Sequence, residues 1–261
     1  MPSDAARLVQ ALRDAHDRLF SFAAGMDAGD LERTSYCDGW TVAQVLSHIG
    51  SAAEIGRATL RAALGGQEPL DQAGRQAIWD RWDAKSPAAQ VADAGASDDE
   101  LVGLLEGLEQ ERLDSLEVPF GGRQLSAAEL LRLFLAERAL HAWDVEVVFE
   151  PSVRLRPAHV DLLLDALGTL VPWYAEATGY VGPHRVAVHT LEPGRDFVLL
   201  LKDGVSLLPS GPAGDGVARL ELPAEAFIRL VYGRLDTEHT PSEVESDGVG
   251  LDELRRLFPG R

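Results

Sequence analysis

The segment Leu130–Val148, LLRLFLAERALHAWDVEVV, constrains this chain more than any other stretch. Its apolar residues recur at three- and four-residue intervals, which predicts a helix. Leu130, Phe134, Val145 and Val148 mark one face, and the same face carries Glu137 and His141. A step of four residues returns to nearly the same side of a helix, so these two side chains point the same way, one turn apart. A carboxylate on a core-facing stripe is costly unless it is paired, protonated or bound to a cation. Either the stripe is half wet, or the interior has a use for a Glu and a His.

The rest of the chain reads as ordinary globular protein. At 261 residues, 46% of them hydrophobic, it can bury a sizeable core in one or two domains. The formal charge of −18, from 42 acidic and 24 basic residues, argues against nucleic acid and anionic lipid as partners. One cysteine, Cys37, excludes an intrachain disulfide and suits a reducing compartment. Neither a signal-peptide core nor a membrane span is evident, so the expected location is cytoplasmic.

Residues 4–29 read as one amphipathic helix, with His16 among charged neighbours and expected to be solvated or capping. Thr41 and Gln44 form a capping box, in which each side chain satisfies a backbone donor of the first turn. In the helix that follows, His48 is the polar exception on a face shared with Val45, Ala52 and Ile55. Residues 65–96 are less regular, broken by glycines and by Pro69 and Pro87; Trp79 and Trp82 either pack a short helix there or wall a ligand. Ser97–Glu100 and Ser126–Glu129 read as two further capping boxes, with Pro119–Gly122 as a turn between their helices.

Four long helices before residue 150, with no convincing strand, indicate a helix bundle. A linker near Glu150–Pro157 leads to another helix, 157–178. Beyond residue 183 the period becomes alternating: RVAVHTL, FVLLL, VSLL and VARLEL read as strands, with Lys202-Asp203-Gly204 as a hairpin turn. Pro223 opens a helix that Gly233 ends, and a short helix near 249–258 closes the chain. The expected class is α+β: a four-helix bundle over 1–150, followed by a small α+β domain over 151–261.

His48, Glu137 and His141 form a candidate metal set, since two imidazoles and one carboxylate from a helix bundle can hold a divalent ion and leave positions open. The competing reading is a Glu–His hydrogen bond that serves packing alone, and the pattern does not choose between them. P-loop, His-Glu-x-x-His and nucleophile-elbow motifs are missing, and the Gly-x-Gly runs at 214–216 and 248–250 do not extend to a dinucleotide fingerprint. Cys37 has no histidine next to it in sequence and reads as a buried or incidental thiol rather than a nucleophile. His184 and His189 are not expected to be ligands; His189 alternates with Val186 and Val188 in a strand.

Trp40-Thr41-Val42 leading to Leu46 and His48, and the later Glu137–Asp144 segment E-x-x-x-H-x-W-D, resemble the mycothiol-dependent maleylpyruvate isomerase family of the DinB-like metalloprotein superfamily. ARLELPAEAFIRLVYGRLD, from Ala218, resembles that family's C-terminal domain, so the likeness spans nearly the whole chain. The resemblance implies zinc, or another divalent metal, on His48, Glu137 and His141. It implies mycothiol as thiol cosubstrate, a small electrophilic substrate, and activity as a thiol transferase or as a cis–trans isomerase. It also implies a role in activity for Arg234, whose guanidinium could pair with a carboxylate of substrate or thiol; the competing reading is a surface arginine at a helix end. A metal-dependent hydrolase, as elsewhere in the superfamily, and a non-catalytic metal- or ligand-binding protein are the alternatives.

Overall fold

Two of the three expected capping boxes start long helices. Thr41 and Ser126 each accept from the backbone of the third helical residue, and Gln44 and Glu129 reach back to the caps. The computed structural model describes residues 3–120, 122–176, 180–202, 204–209 and 217–260. The chain divides into two units, residues 1–153 and 154–261.

In the first unit the long helices are α1 (Asp4–Ala23), α3 (Val42–Ala63), α5 (Pro87–Glu106) and α7 (Ala127–Glu146). Between them lie α2 (Ala28–Leu31), α4 (Gln72–Asp83), α6 (Gln110–Asp114) and a hairpin of β1 (Glu117–Phe120) and β2 (Arg123–Ser126). Helix α3 packs on α5 and α1 on α7, around a core that includes Leu8, Leu12, Leu46, Leu60, Leu101, Leu105 and Leu130. Gly50 permits the close approach of α3 to its neighbours. A β-carbon there would meet the Trp82 ring at 2.4 Å and the Ala94 backbone at 2.8 Å.

Several expectations need correction. The first helix stops at Ala23, because Asp27 caps a separate short helix with its own capping box. The third box does not exist. Helix α5 begins eleven residues earlier, with Ser86 as cap and Pro87 in its first turn, so that Pro87 starts a helix rather than breaking one. Ser97 lies within α5 and turns its hydroxyl to the Gly50 carbonyl, 2.8 Å away on α3. The hairpin β1–β2 stands where a turn alone was expected. Trp82, in the last turn of α4, is buried and donates to Glu54 at 2.9 Å, which supports the packing reading of that helix.

His16 is not solvated. It is buried on α1, with Nδ1 2.9 Å from Oδ2 of the fully buried Asp98 on α5. The other oxygen of Asp98 pairs with Arg138 of α7, whose guanidinium also donates to the Phe134 carbonyl at 2.8 Å. One carboxylate thus ties three helices together.

The second unit holds a five-stranded sheet in the order β5 (Ser206–Pro209), β4 (Arg195–Leu200), β3 (Arg185–Leu191), β6 (Ala218–Pro223), β7 (Glu245–Asp247). Only the central β3–β6 pair is parallel. The four expected strands are present, and β7 adds a fifth. The expected helix 157–178 is instead two, α8 (Pro157–Leu164) and α9 (Leu167–Tyr174), with residues 177 and 178 outside the described residues. Asp203 of the expected turn and the Gly-x-Gly run at 214–216 also lie outside them. Helix α10 (Ala224–Val231) is buried along its whole length, and α11 (Leu251–Leu257) closes the chain. The open face of the sheet is lined by His189, Asp196, Arg219, Glu221 and Glu245. The α+β class therefore stands, and no helix among the described residues is long and apolar enough to cross a membrane.

Burial alone would raise the Asp98 carboxyl, but Arg138 and His16 hold it below the usual carboxylate range. A depressed carboxyl contributes stability that is present above about pH 4 and lost as the pH falls further. Asp98→Ala leaves Arg138 buried without this partner and should cost about 3–5 kcal/mol in urea unfolding, whereas Asp98→Asn should cost less. A loss under 1 kcal/mol for the alanine variant would remove Asp98 from the account of bundle stability.

Candidate metal centre

Two helices and one loop build the site. The capped start of α3 places His48 on its second turn, and α7 presents Glu137, His141 and Asp144 at i, i+4 and i+7. The loop before α3 is pinned at several points. Thr34 bridges Thr41, Ser35 N–H donates to the Trp40 carbonyl at 2.9 Å, and Tyr36 N–H donates to the Asp144 carbonyl at 3.0 Å. The loop thereby lays Cys37 against α7.

The three residues expected as ligands come together. His48 Nε2 lies 3.2 Å, and His141 Nε2 3.4 Å, from the same Glu137 oxygen. The two imidazole rings meet edge to face, with centroids 4.9 Å apart. Bonds of about 2.0–2.1 Å to a tetrahedral ion separate neighbouring ligand atoms by roughly 3.3–3.4 Å. The observed spacings therefore fit an ion-sized cage as well as a pair of hydrogen bonds. Among the described residues, His/Cys/Asp/Glu donors come close enough to share an ion in two groups: His48–Glu137–His141 and Cys37–His141–Asp144.

Exposure distinguishes the three. His141 is 11% exposed at its side chain, His48 31% and Glu137 43%. The stripe is thus partly wet at Glu137: its carboxylate is crowded by protein yet reached by solvent, as a ligand with an open coordination side must be. Trp40, itself 37% exposed, stands beside His48 with ring centroids 5.2 Å apart. Burial works to raise the Glu137 carboxyl, but hydrogen bonds and charge from His141 and His48 hold it well below its ordinary value. His141 moves the other way. Burial would lower it, but hydrogen bonds to Asp144, Cys37 and Glu137 push it well above the usual imidazole range.

Cys37 is the main correction. Its Sγ lies 3.1 Å from Asp144 Oδ2 and 3.8 Å from His141 Nδ1, so the lone thiol adjoins the site after all. No sequence neighbour of Cys37 signals this, because the contact spans more than a hundred positions. Asp144 was legible only as a residue three after His141, on the same helical face. His184 and His189 join neither donor group; His184 is exposed, and His189 pairs with Asp196 at 2.9 Å across β3 and β4.

Arg234 belongs to the second unit and is buried there rather than lying on a surface. Its guanidinium donates to the Tyr232 carbonyl at 2.9 Å, and Arg229 donates to the Arg234 carbonyl at 3.2 Å. Gly233 makes the turn possible: its φ is +72°, and a β-carbon there would lie 2.4 Å from the Gly260 backbone.

Comparison with known proteins follows the same lines. The pattern of the mycothiol maleylpyruvate isomerase N-terminal domain matches residues 12–146. Among solved structures, the mycothiol-dependent maleylpyruvate isomerase is similar at 15% identity and a TM-score of 0.66, covering 96% of this chain and 98% of that one. A point mutant of the mycothiol-dependent maleylpyruvate isomerase has the same identity and coverage, with a TM-score of 0.65. At that identity the likeness speaks for the fold. No curated protein matches the chain.

In metal-free protein the His141 ring should keep its proton to higher pH than an ordinary imidazole, because Asp144, Cys37 and Glu137 surround it. A raised histidine contributes stability in full below its unfolded value of about 6.5, and loses it as pH rises through the folded value. The depressed Glu137 contributes above about pH 4.3 and loses its contribution on acidification through its lowered value. Ring-nitrogen NMR should show His141 titrating above the ordinary range, and Glu137→Gln should bring it down. An ordinary His141 titration in the wild type would contradict this electrostatic picture.

Proposed function

The chain belongs to the mycothiol maleylpyruvate isomerase N-terminal domain family, and on that premise we propose a mycothiol-dependent isomerase with a zinc centre on His48, Glu137 and His141. The observation that carries the metal reading is the convergence of two imidazole nitrogens, at 3.2 and 3.4 Å, on one oxygen of a carboxylate that remains open to solvent. The similar solved structures are described as mycothiol-dependent maleylpyruvate isomerases, which supports a thiol cosubstrate and a small unsaturated electrophile.

Zinc in this position would supply positive charge that favours the thiolate form of an incoming thiol at neutral pH. The protein's own residues do the rest. His48 and His141 approach from different helices and hold the site's width, while the half-exposed Glu137 leaves one side of it accessible. Addition of the cosubstrate thiolate to a conjugated cis double bond turns it into a single bond. Rotation and expulsion of the same thiolate then return the trans isomer, with no net consumption of thiol. Transfer of the thiol to an electrophile, the alternative activity, ends instead when the carbanion left by the addition takes up a proton from solvent. Trp40 at the rim offers an apolar surface to whichever molecule enters.

Arg234 is assigned to a substrate or thiol carboxylate. Support comes from the resemblance of its Gly-Arg turn to the family's C-terminal domain, and from the hydrogen bonds that fix the turn. A planar guanidinium pairs with a carboxylate through two parallel hydrogen bonds, which an ammonium cannot reproduce.

Purified protein should carry close to one equivalent of zinc, and His48→Ala, Glu137→Ala and His141→Ala should each lose most of it. Full occupancy in all three variants would end the metal reading. Isomerisation of maleylpyruvate should require added mycothiol, and Cys37→Ser should keep a substantial fraction of it. Turnover without added thiol, abolished by Cys37→Ser, would make Cys37 the nucleophile instead. Arg234→Lys should lower kcat or raise KM about tenfold, equivalent to about 1.4 kcal/mol, with zinc content unchanged. Unaltered kinetics in Arg234→Ala would withdraw its assignment.

A further inference from the structure

Behind His141, on the side away from Glu137, sits a carboxylate that the proposed ligand set does not use. Asp144 is fully buried. Its Oδ2 lies 2.8 Å from His141 Nδ1 and 3.1 Å from Cys37 Sγ. An ionised carboxylate can only accept hydrogen bonds, so the ring nitrogen and the thiol must both donate to it. The Nδ1 proton is thereby held on the far side of the ring, and Nε2 is the nitrogen left to face Glu137 and His48. The same residue accepts the Tyr36 N–H through its backbone carbonyl, so it also anchors the loop that carries Cys37 and leads into the His48 helix.

We infer that Asp144 is a positioning residue for the metal centre, setting the tautomer and ring orientation of His141, with the Cys37 S–H bracing the carboxylate from its other side. The inference rests on the zinc reading of His48, Glu137 and His141. A histidine ligand whose second nitrogen donates to a carboxylate is oriented and made more basic, and loss of such a partner commonly weakens metal binding 10- to 100-fold. The competing use of these atoms is a second ion on Cys37, His141 Nδ1 and Asp144, which lie close enough to share one. Direct hydrogen-bond distances and a carboxylate closed to solvent favour the positioning role.

The test is zinc affinity of the full chain, measured against a chromophoric chelator, in wild type and in Asp144→Asn. The asparagine keeps the shape, but its amide can donate to Nδ1 and so favours the wrong tautomer, with the ring proton on Nε2. The expected result is zinc binding weakened at least tenfold, with metal-free far-ultraviolet circular dichroism unchanged. An Asp144→Asn variant that melts earlier yet binds zinc as wild type does would reduce Asp144 to a packing residue and overturn the inference. If the variant does not fold, ring-nitrogen NMR of zinc-loaded wild type decides: a retained Nδ1–H on His141 with Nε2 coordinated supports it, and coordination through Nδ1 overturns it. A second equivalent of zinc, lost in Cys37→Ser, would overturn it in favour of the second ion. Wild-type protein without zinc affinity fails the zinc reading itself, a result distinct from tight binding that Asp144→Asn leaves intact.

Discussion

Helix α7 carries its charges on the inside of the bundle, and the first unit is arranged around pairing them. Arg138, His141, Asp144 and Glu146 are all buried. A charge removed from water stays only where oppositely charged or hydrogen-bonding groups replace the solvent. Arg138, Asp144 and Glu146 each have a partner supplied by another segment. Asp98 of α5 faces Arg138, Arg18 of α1 makes two bonds of 2.8 Å to Glu146, and Cys37 of the loop before α3 faces Asp144. Apolar contacts between helices tolerate small slides, but these pairs do not. They set how far each helix is shifted along its neighbour.

At the candidate centre that closure is incomplete. His141 is held from behind by Asp144 and nearly closed off, while Glu137, one turn earlier, keeps much of its side chain open. Its partner His48 comes from α3, whose position depends on the same buried network through α5 and the loop at Tyr36. Rigid support on one side and access on the other is what a site for an added cosubstrate requires. A pair of polar residues serving packing alone gains nothing from the access.

In the second unit a buried ion pair does comparable work over a shorter span. Arg229 makes two bonds to Glu225 one turn earlier in α10, at 2.8 and 2.9 Å, and its remaining donor reaches the carbonyls of Arg234 and His239. That anchors the chain where it leaves the helix, so the Arg234 backbone is held by a residue whose own charge is already satisfied.

Features whose causes are local could be read from the sequence: the boxes at Thr41 and Ser126, the alternation of β3 to β6, the Gly233 turn, and the shared face of Glu137 and His141. Each depends on residues within four positions of one another, so spacing alone carries the signal. The four-residue strands of the hairpin are too short to show a period, and β7, Glu-Ser-Asp, has no apolar residue to show one. Ser97 had the spacing of a cap, yet its hydroxyl bonds to Gly50 on another helix, and the one local pattern fits either use. His48 could be matched to Glu137 only as a suspicion drawn from residue type and resemblance. That Cys37 meets Asp144 behind His141, and that His16 and Arg138 meet on Asp98, was decided by tertiary structure alone. Those partners are 82, 107 and 40 positions apart, and only the packing of the bundle gives a buried charge its neighbour.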